Sequence, residues 1–399
     1  MLLYIHVPFC RRKCTYCAFP SLPVKEERAG AGQIAEYSAS LTREMRLWGE
    51  RLGKVSVETV FLGGGTPSLL PGRAVGSLLD TARKVFNLAA DAEISAEANP
   101  DSALEDGWLF EARRAGVNRL SIGVQSFDEA DLVLLGRPHS VRAAQVAFET
   151  ARTAGFTNIS LDLMWGLPGP APHAQSQVQW LRQLRLAADL LPEHISAYGL
   201  TLEPGTPLEK ILATGKCVLP KEQEQASMYL AGAEYLESRG YMQYEISNYA
   251  RMGFECRHNR ASWEGADYLG LGPAAVSTVG GRRWTNIEDV KQWQRAIKVG
   301  VIAPTVEELD ARTRIKEMLM LRLRMNKGLA LKEWQQLTGR SFVKEFAPLV
   351  ALLQQNGLAT TRSGRFRLTS SGMLVSNTIL AHFFDRLDQA SFEAVAAPV

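Results

Sequence analysis

The sequence predicts an α/β fold in which six strand–helix units form an open partial barrel, followed by a small α+β domain. Six short apolar runs alternate with helical segments over the first 200 residues, which is typical of parallel strands joined by crossover helices. Glycine-rich and polar motifs stand where these runs end, as site residues do in such sheets. After Pro304 the pattern changes to short helices and a hairpin.

The predicted elements follow from apolar runs, helical periodicity and turn residues. The predicted strands are 2–7, 58–62, 92–96, 119–124, 159–164 and 194–198, and the helices beside them are 33–52, 73–86, 103–115, 141–154 and 174–188. Beyond residue 198 no two further units are present to close an eightfold barrel.

The second half of the chain is predicted to extend the barrel and then to form a separate domain. The extension is predicted to contain helix 221–239, a strand at 244–247 and a glycine-rich segment at 268–272. Helices 312–324, 331–337 and 343–354 follow, and Ser363 and Gly364 lie between alternating stretches. This is a hairpin signal and favours a winged-helix-like end.

Composition and charge limit the class of protein. The 399 residues, 46% hydrophobic and 22% charged, suffice for one large domain and a smaller one. We predict a core at 1–200, an extension at 201–303 and a C-terminal domain at 304–399. The net charge of +3 is too small to indicate a nucleic-acid partner. No apolar run has the length of a membrane span and no signal peptide is recognisable, so we expect a cytoplasmic protein.

Three cysteines near the start suggest an iron–sulfur cluster. Cys10, Cys14 and Cys17 have the spacing C-x3-C-x2-C, with no fourth ligand close by, so three thiolates would leave one iron open. On a straight helix the outer sulfurs would lie roughly 10 Å apart, so we expect a loop. The basic residues 11–13 should lower the thiol pKa values. The alternative is a coincidental trio of reduced thiols or a redox pair.

Glycines and carboxylates at other strand ends are further candidates. Residues 63–67, Gly-Gly-Gly-Thr-Pro, follow the second strand, although glycine runs are most often tight turns. Glu97 and Asp162 stand at later strand ends, where a helix cap or a surface charge is the alternative. Their predicted position at one face of the sheet favours a role in a binding or active site over a cap or a surface charge.

The cysteine motif resembles that of the radical S-adenosylmethionine (radical SAM) family. In that family the open iron chelates S-adenosylmethionine, and an electron from the cluster cleaves its sulfonium to a 5′-deoxyadenosyl radical. Eight segments in order resemble the oxygen-independent coproporphyrinogen III oxidase group of this family. They are residues 4–10, 63–67, 97–100, 123–127, 135–139, 162–168, 195–200 and 244–248.

This resemblance implies cofactors and site residues. Cys10, Cys14 and Cys17 would hold a [4Fe-4S] cluster, and one or two S-adenosylmethionine molecules would bind beside it. The residues implied to bind or border the latter are Tyr4, Tyr16, Gly64, Gly65, Thr66, Glu97, Gln125, Arg137 and Asp162.

Two departures indicate the branch within this group. The oxidases have a fourth cysteine two residues after the third, where this chain has Phe19. Residues 256–263, Cys-Arg-His-Asn-Arg-Ala-Ser-Trp, resemble a motif tied to heme binding in the heme chaperone branch. By this resemblance His258, in a loop, would be the heme ligand, with Trp263 stacking on the porphyrin.

Further residues of this segment are candidates for the same ligand. Arg257 or Arg260 would pair with the heme propionates, and Cys256 is an alternative thiolate ligand.

The function expected from this resemblance is a heme chaperone, with heme, heme-accepting proteins and an electron donor for the cluster as partners. Acceptors in a membrane would be reached by peripheral contact. The alternative is an enzyme that decarboxylates the propionates of coproporphyrinogen III. A third reading, nucleic-acid binding through Arg362, Arg365 and Arg367, is disfavoured because the basic residues are few.

Overall fold

Six parallel strands lie side by side in chain order at the centre of the molecule. The computed structural model describes residues 1–24, 27–303 and 305–389. The central strands are β1 (Leu2–Val7), β2 (Ser56–Gly64), β3 (Asn87–Ala98), β4 (Arg119–Gln125), β5 (Ile159–Trp165) and β6 (His194–Gly199). Each pairs in parallel with the next along the chain. The predicted partial barrel of six units is confirmed.

Helices occupy the crossovers between these strands. They are α1 (Glu27–Leu52), α2 (Gly72–Val85), α3 (Pro100–Ala103), α4 (Trp108–Ala115), α5 (Glu129–Leu134), α6 (Val141–Thr153) and α7 (Gln177–Asp189). The predicted helix 103–115 is wrong as one element, because Asp106 and Gly107 have positive φ values of 48° and 67° and separate α3 from α4. Helix α7 begins at a capping box on Ser176.

Residues beyond β6 extend the sheet at both edges. Helices α8 (Pro207–Ala213) and α9 (Glu222–Ser238) precede β7 (Met242–Gln243) and β8 (Asn248–Ala250), which are antiparallel additions beside β6. After α10 (Arg257–Trp263) the chain returns to the other edge. There β9 (Tyr268–Leu271) pairs in parallel with β1.

Antiparallel strands complete this second edge. They are β10 (Val276–Val279), β11 (Arg282–Thr285) and β12 (Val306–Glu308), with α11 (Val290–Lys298) between the last two. One prediction about the extension is wrong, because residues 244–247 connect β7 and β8 instead of forming a strand. The glycine-rich segment at 268–272 extends the sheet as predicted and begins as a seventh parallel strand.

The C-terminal part combines helices with a three-stranded sheet. Its helices are α12 (Ala311–Leu323), α13 (Leu331–Thr338), α14 (Phe342–Glu345), α15 (Ala347–Gln355), α16 (Ser370–Leu374) and α17 (Ser376–Gln389). Its strands are β13 (Leu329–Ala330), β14 (Ala359–Arg362) and β15 (Arg365–Leu368), with β15 in the middle. The predicted hairpin turns at Ser363 and Gly364, whose φ values are 52° and 71°. This confirms the winged-helix-like character.

Two hydrophobic cores divide the described residues. One lies between the large sheet and its helices, and the other, centred on Trp334, Phe342 and Phe383, lies mostly within residues 315–387. The proposed domain boundaries stay a prediction that this division supports. Among the described residues, no helix has the length and apolarity needed to cross a bilayer.

Candidate functional site

The cysteine loop runs from β1 across the ends of the other strands. Residues 11–20 are not helical, and Cys10 pairs through its strand segment with Leu22–Pro23. The backbone N–H of Thr15 donates to the carbonyl of Leu135 at 3.0 Å, and its carbonyl accepts from Leu208 at 2.8 Å. Backbone contacts therefore fix the loop to three other segments of the chain.

The three thiols lie near one another without converging on one point. Cys14 is buried and Cys10 and Cys17 are half-buried, but the described residues include no group of His, Cys, Asp and Glu placed to hold a single metal ion. The ligands of a four-iron cluster bind separate iron atoms and need not converge as the ligands of one ion do. The arrangement fits a cluster better than a mononuclear site.

A hydrogen-bond network joins two of the sulfurs to the strand ends. The Thr66 hydroxyl donates to Cys10 Sγ at 3.6 Å, and Arg137 donates to Cys14 Sγ at 3.3 Å. Asn99 connects the two donors, because it donates to Thr66 at 3.1 Å and accepts from Arg137 at 2.6 Å. Donors to sulfur of this kind stabilise thiolates that ligate a metal.

Among the basic loop residues, Lys13 acts on a thiol: its charge lowers the pKa of Cys17, less strongly than burial raises it. Arg11 forms ion pairs with Asp101 and Glu105 instead. Burial is the largest influence on Cys10 and Cys17 and raises both thiol pKa values, so it outweighs the lowering expected from the basic residues. Arg137, in the segment after α5, is the cation that donates a hydrogen bond to a cysteine sulfur.

Close packing after β2 leaves no room for a Cβ at two positions, which therefore require glycine. Gly64 has a φ of 104°, and a Cβ there would lie 2.4 Å from the His6 ring. A Cβ on Gly65 would lie 2.6 Å from the Phe9 carbonyl oxygen. The N–H of Gly64 donates to Glu97 Oε2 at 3.1 Å, so the glycines connect the cysteine loop with the interior of the barrel.

A cavity of about 600 Å³ occupies the interior of the barrel. Tyr4, Glu97 and Asp162, all predicted to bind S-adenosylmethionine, line it together with His258. Its remaining lining includes Phe61, Arg119, Ser121, Tyr198 and Trp263, as well as Glu317, Met320 and Leu321 of α12. The structure therefore brings three of the predicted S-adenosylmethionine residues and the predicted heme ligand to one space.

The two carboxylates in this cavity differ in their partners. Asp162 accepts from Ser121 at 3.0 and 2.9 Å and from Ser160 at 3.1 Å. Burial and the charge of Asp162 raise the pKa of Glu97 to about 7. Burial also raises the pKa of Asp162. Glu97 can thus change its charge near neutral pH.

Six of the residues predicted to bind S-adenosylmethionine do not line the cavity: Gly64, Gly65, Thr66 and Arg137, described above, and Tyr16 and Gln125. Tyr16 packs beside Leu135, Met164 and Leu167, and burial raises its hydroxyl pKa. Gln125 ends β4 with a φ of 64°. Their roles stay predictions.

His258 is in the first turn of α10, so its placement in a loop is wrong. The side chain is 7% exposed and its ring packs against Phe61 at a centroid distance of 5.1 Å. Its Nδ1 is 2.8 Å from the Thr59 hydroxyl, and within the described chain Nε2 has no hydrogen-bond partner. Burial, with a smaller effect of Arg119, lowers the His258 pKa to about 4. The imidazole is neutral, as a metal ligand must be.

The start of α10 is held by Glu93, which the sequence did not single out. Glu93 accepts from the N–H groups of Arg257 and His258, at 3.0 Å each. The Cys256 thiol also contacts Glu93, at 3.5 Å, and burial raises its pKa to about 12. A thiol that is protonated and already contacts Glu93 is a poor alternative ligand.

The arginines predicted to meet propionates already have partners. Arg257 pairs with Asp91 at 3.3 Å and Arg260 with Glu255 at 2.9 Å, and neither lines the cavity. Trp263 does line it.

Strand alternation could have revealed the residues that sequence reasoning missed. Side chains two apart on a strand share a face, so counting back from Glu97 reaches Ser95 and Glu93. Counting back from Gln125 reaches Ser121 and Arg119.

Comparisons with known proteins identify the family of the chain. Residues 4–173 match the radical SAM superfamily and residues 309–375 match the HemN C-terminal domain. A protein named heme chaperone HemW from Bacillus subtilis is 34% identical over 96% of this chain and 99% of its own. A HemW of Escherichia coli is 35% identical, covering 96% and 97%.

The similar proteins also include a mitochondrial relative and an oxidase of known structure. A bovine mitochondrial protein, named radical S-adenosyl methionine domain-containing protein 1, is 34% identical over 97% of this chain and 88% of its own. The solved coproporphyrinogen III oxidase HemN of Escherichia coli superposes with a TM-score of 0.79 over 97% of this chain and 90% of its own, at 24% identity. At that identity the likeness concerns the fold.

Proposed function

The chain belongs to the HemW family within the radical SAM superfamily, and from this we propose that it binds heme and transfers it to acceptor proteins. The observation that supports this most directly is His258. It presents a neutral imidazole to a cavity of about 600 Å³, within the range of cavities that hold one drug-sized ligand.

The contact of His258 with Thr59 supports a ligand role. If Nδ1 donates its proton to the Thr59 oxygen at 2.8 Å, the lone pair of Nε2 is left for a metal. A hydrogen bond on the second nitrogen commonly orients histidine ligands in this way. Phe61 restricts the ring on one face.

The cysteine loop fits the cluster that the family carries. Cys10, Cys14 and Cys17 would hold it, with Thr66 and Arg137 donating to two of the sulfurs. Bound S-adenosylmethionine would supply radical chemistry on reduction. Glu97 and Asp162 would accept hydrogen bonds from its hydroxyl and ammonium groups.

Partners and location are part of the same proposal. The heme acceptors include proteins that the chain reaches at a membrane by peripheral contact, and a separate protein donates electrons to the cluster. We place the protein in the cytoplasm.

One experiment separates the chaperone from an oxidase. Protein with a reconstituted cluster is titrated anaerobically with heme and followed by its Soret band. It is then incubated with coproporphyrinogen III, S-adenosylmethionine and a reductant. We expect a saturable heme complex and no protoporphyrinogen IX. Formation of that product would favour the oxidase instead.

The affinity for S-adenosylmethionine should rise between pH 6 and pH 8. Because the Glu97 pKa is about 7, this group is mostly protonated at pH 6 and mostly ionised at pH 8. The ionised form is the better acceptor for hydroxyl and ammonium donors, which corresponds to about a tenfold gain. Anaerobic equilibrium dialysis at each pH measures it.

The matched variant for this prediction is Glu97→Gln, which keeps the shape of the side chain and removes its charge. It should bind more weakly at pH 8 and lose most of the pH dependence. An unchanged slope would assign the titration to another group, such as Asp162.

Heme and S-adenosylmethionine should compete, because residues predicted to contact each of them line one cavity. With S-adenosylmethionine at ten times its dissociation constant, the apparent dissociation constant for heme should rise about tenfold. Soret titrations with and without S-adenosylmethionine measure this. A Cys14→Ser protein that lacks the cluster is the control and should show little effect. Equal heme affinity in both titrations of the cluster-loaded protein would show that the ligands bind side by side.

A further inference from the structure

The interior of the barrel contains a buried arginine without a hydrogen-bond partner. Arg119, the first residue of β4, is 2% exposed and lines the cavity. A guanidinium carries five N–H donors. None of them has an acceptor among the described residues, and Nε is buried without a partner. Burying such a group costs free energy unless something compensates for it.

Neighbouring carboxylates supply charge but not hydrogen bonds. Glu93 and Asp162 both act on Arg119 through their charge. Glu93 is already engaged by the N–H groups at the start of α10, and Asp162 by serine hydroxyls. The donors of Arg119 therefore remain available to a molecule in the cavity.

Other cations near the cavity differ in this respect. Arg283 also lines it, but its two terminal nitrogens contact Glu317, one at 2.9 Å. Arg257 and Arg260 pair with Asp91 and Glu255. Of the cavity-lining arginines in the described chain, Arg119 alone keeps its donors free.

We propose that Arg119 binds a propionate carboxylate of the heme whose iron His258 ligates. This rests on the proposed function and replaces Arg257 and Arg260 as the candidate. The guanidinium is close enough to His258 to act on it electrostatically, so one ligand can contact both residues. A planar guanidinium holds a carboxylate through two parallel hydrogen bonds.

The test compares heme with its dimethyl ester, in which both propionates are uncharged. The wild-type protein should bind heme at least about tenfold more tightly than the ester. Arg119→Gln should bind both within about twofold, and Arg119→Lys should keep part of the preference. Arg283→Gln, a matched control in the same cavity, should keep all of it. Soret titrations give each constant, and thermal unfolding verifies that the variants are folded.

Several outcomes would overturn the assignment. Equal affinity of the wild type for heme and ester would do so without any substitution. A full preference in Arg119→Gln, or its loss in Arg260→Gln, would do so as well. If Arg119→Gln lost S-adenosylmethionine affinity while keeping the ester preference, the carboxylate would belong to that cofactor. Failure of the wild type to bind either porphyrin would instead overturn the proposed function itself.

Discussion

Replacing Cys10, Cys14 or Cys17 by serine is expected to abolish the brown absorbance of the reconstituted protein. A serine hydroxyl is a hard, weakly acidic ligand and does not substitute for a thiolate on iron. Each variant should also lose most S-adenosylmethionine binding, since the open iron of the proposed cluster would supply part of its chelate. Iron and sulfide analysis after anaerobic reconstitution, with equilibrium dialysis, measures both effects.

Cys217→Ser is the matched control for these variants. Cys217 is half-buried in a short strand that pairs with Gly169–Pro170, and it is not part of the C-x3-C-x2-C motif. It should keep full iron content, and so should Cys256→Ser. If all three loop variants retained wild-type iron, the cluster would have to be held elsewhere.

Replacing His258 by alanine is expected to weaken heme binding by at least about 100-fold and to shift or remove the Soret band. Removing the residue that hydrogen-bonds to a metal ligand already lowers the affinity about 10–100-fold. Removing the ligand itself should lower it further. Cluster content should be unchanged, because the His258 side chain contacts Thr59 and Phe61 and not a cysteine of the loop. A Soret titration of the cluster-loaded protein measures the affinity.

Two further variants make this result specific to the imidazole. Thr59→Val removes the 2.8 Å contact to Nδ1 while keeping the side-chain shape, and should weaken binding about tenfold. His173→Ala changes an exposed histidine and should have no effect. Wild-type heme spectra for His258→Ala would transfer the ligand role to another residue.

The sequence predicted the six central strands because each has an apolar run followed by a motif. The bounds of β1, Leu2–Val7, agree at both ends. Glu97 and Asp162 were predicted as site residues from their places at strand ends, and Cys10 from the spacing of the three cysteines. In parallel sheets this location alone brings distant residues to one edge, so the carboxylates could be grouped without a structure.

The position of α10 could not be predicted in the same way. It is only seven residues long and its cap is Cys256, which is not a common N-cap residue. Its place in the barrel depends on Glu93, which is 165 residues from His258. No local pattern specifies a contact of that kind, and so His258 was expected in a loop.

The same limit applies to the partners of charged residues. Arg11, Arg12 and Lys13 lie within the cysteine motif, and proximity in sequence suggested that they act on the thiols. Lys13 does act on Cys17, but the structure pairs Arg11 with acidic residues about 90 positions away, and it is Arg137 that donates to Cys14. The effect of a charge depends on its distance in space, and closeness in the sequence does not determine that distance.

Part of the cavity wall comes from the C-terminal domain, and several of its contacts beside the cavity are polar, in addition to the apolar packing of Trp165 and Tyr229 against its core. Glu317 meets Arg283, Lys327 meets Glu264 at 3.2 Å, and Arg322 donates to the carbonyl of Trp263 at 2.9 Å. Partly exposed ion pairs are weak and are screened by salt. Separating this wall from the barrel should therefore cost less than unfolding either core. The residence time of a bound ligand would then shorten as ionic strength rises, even where its equilibrium affinity changes little.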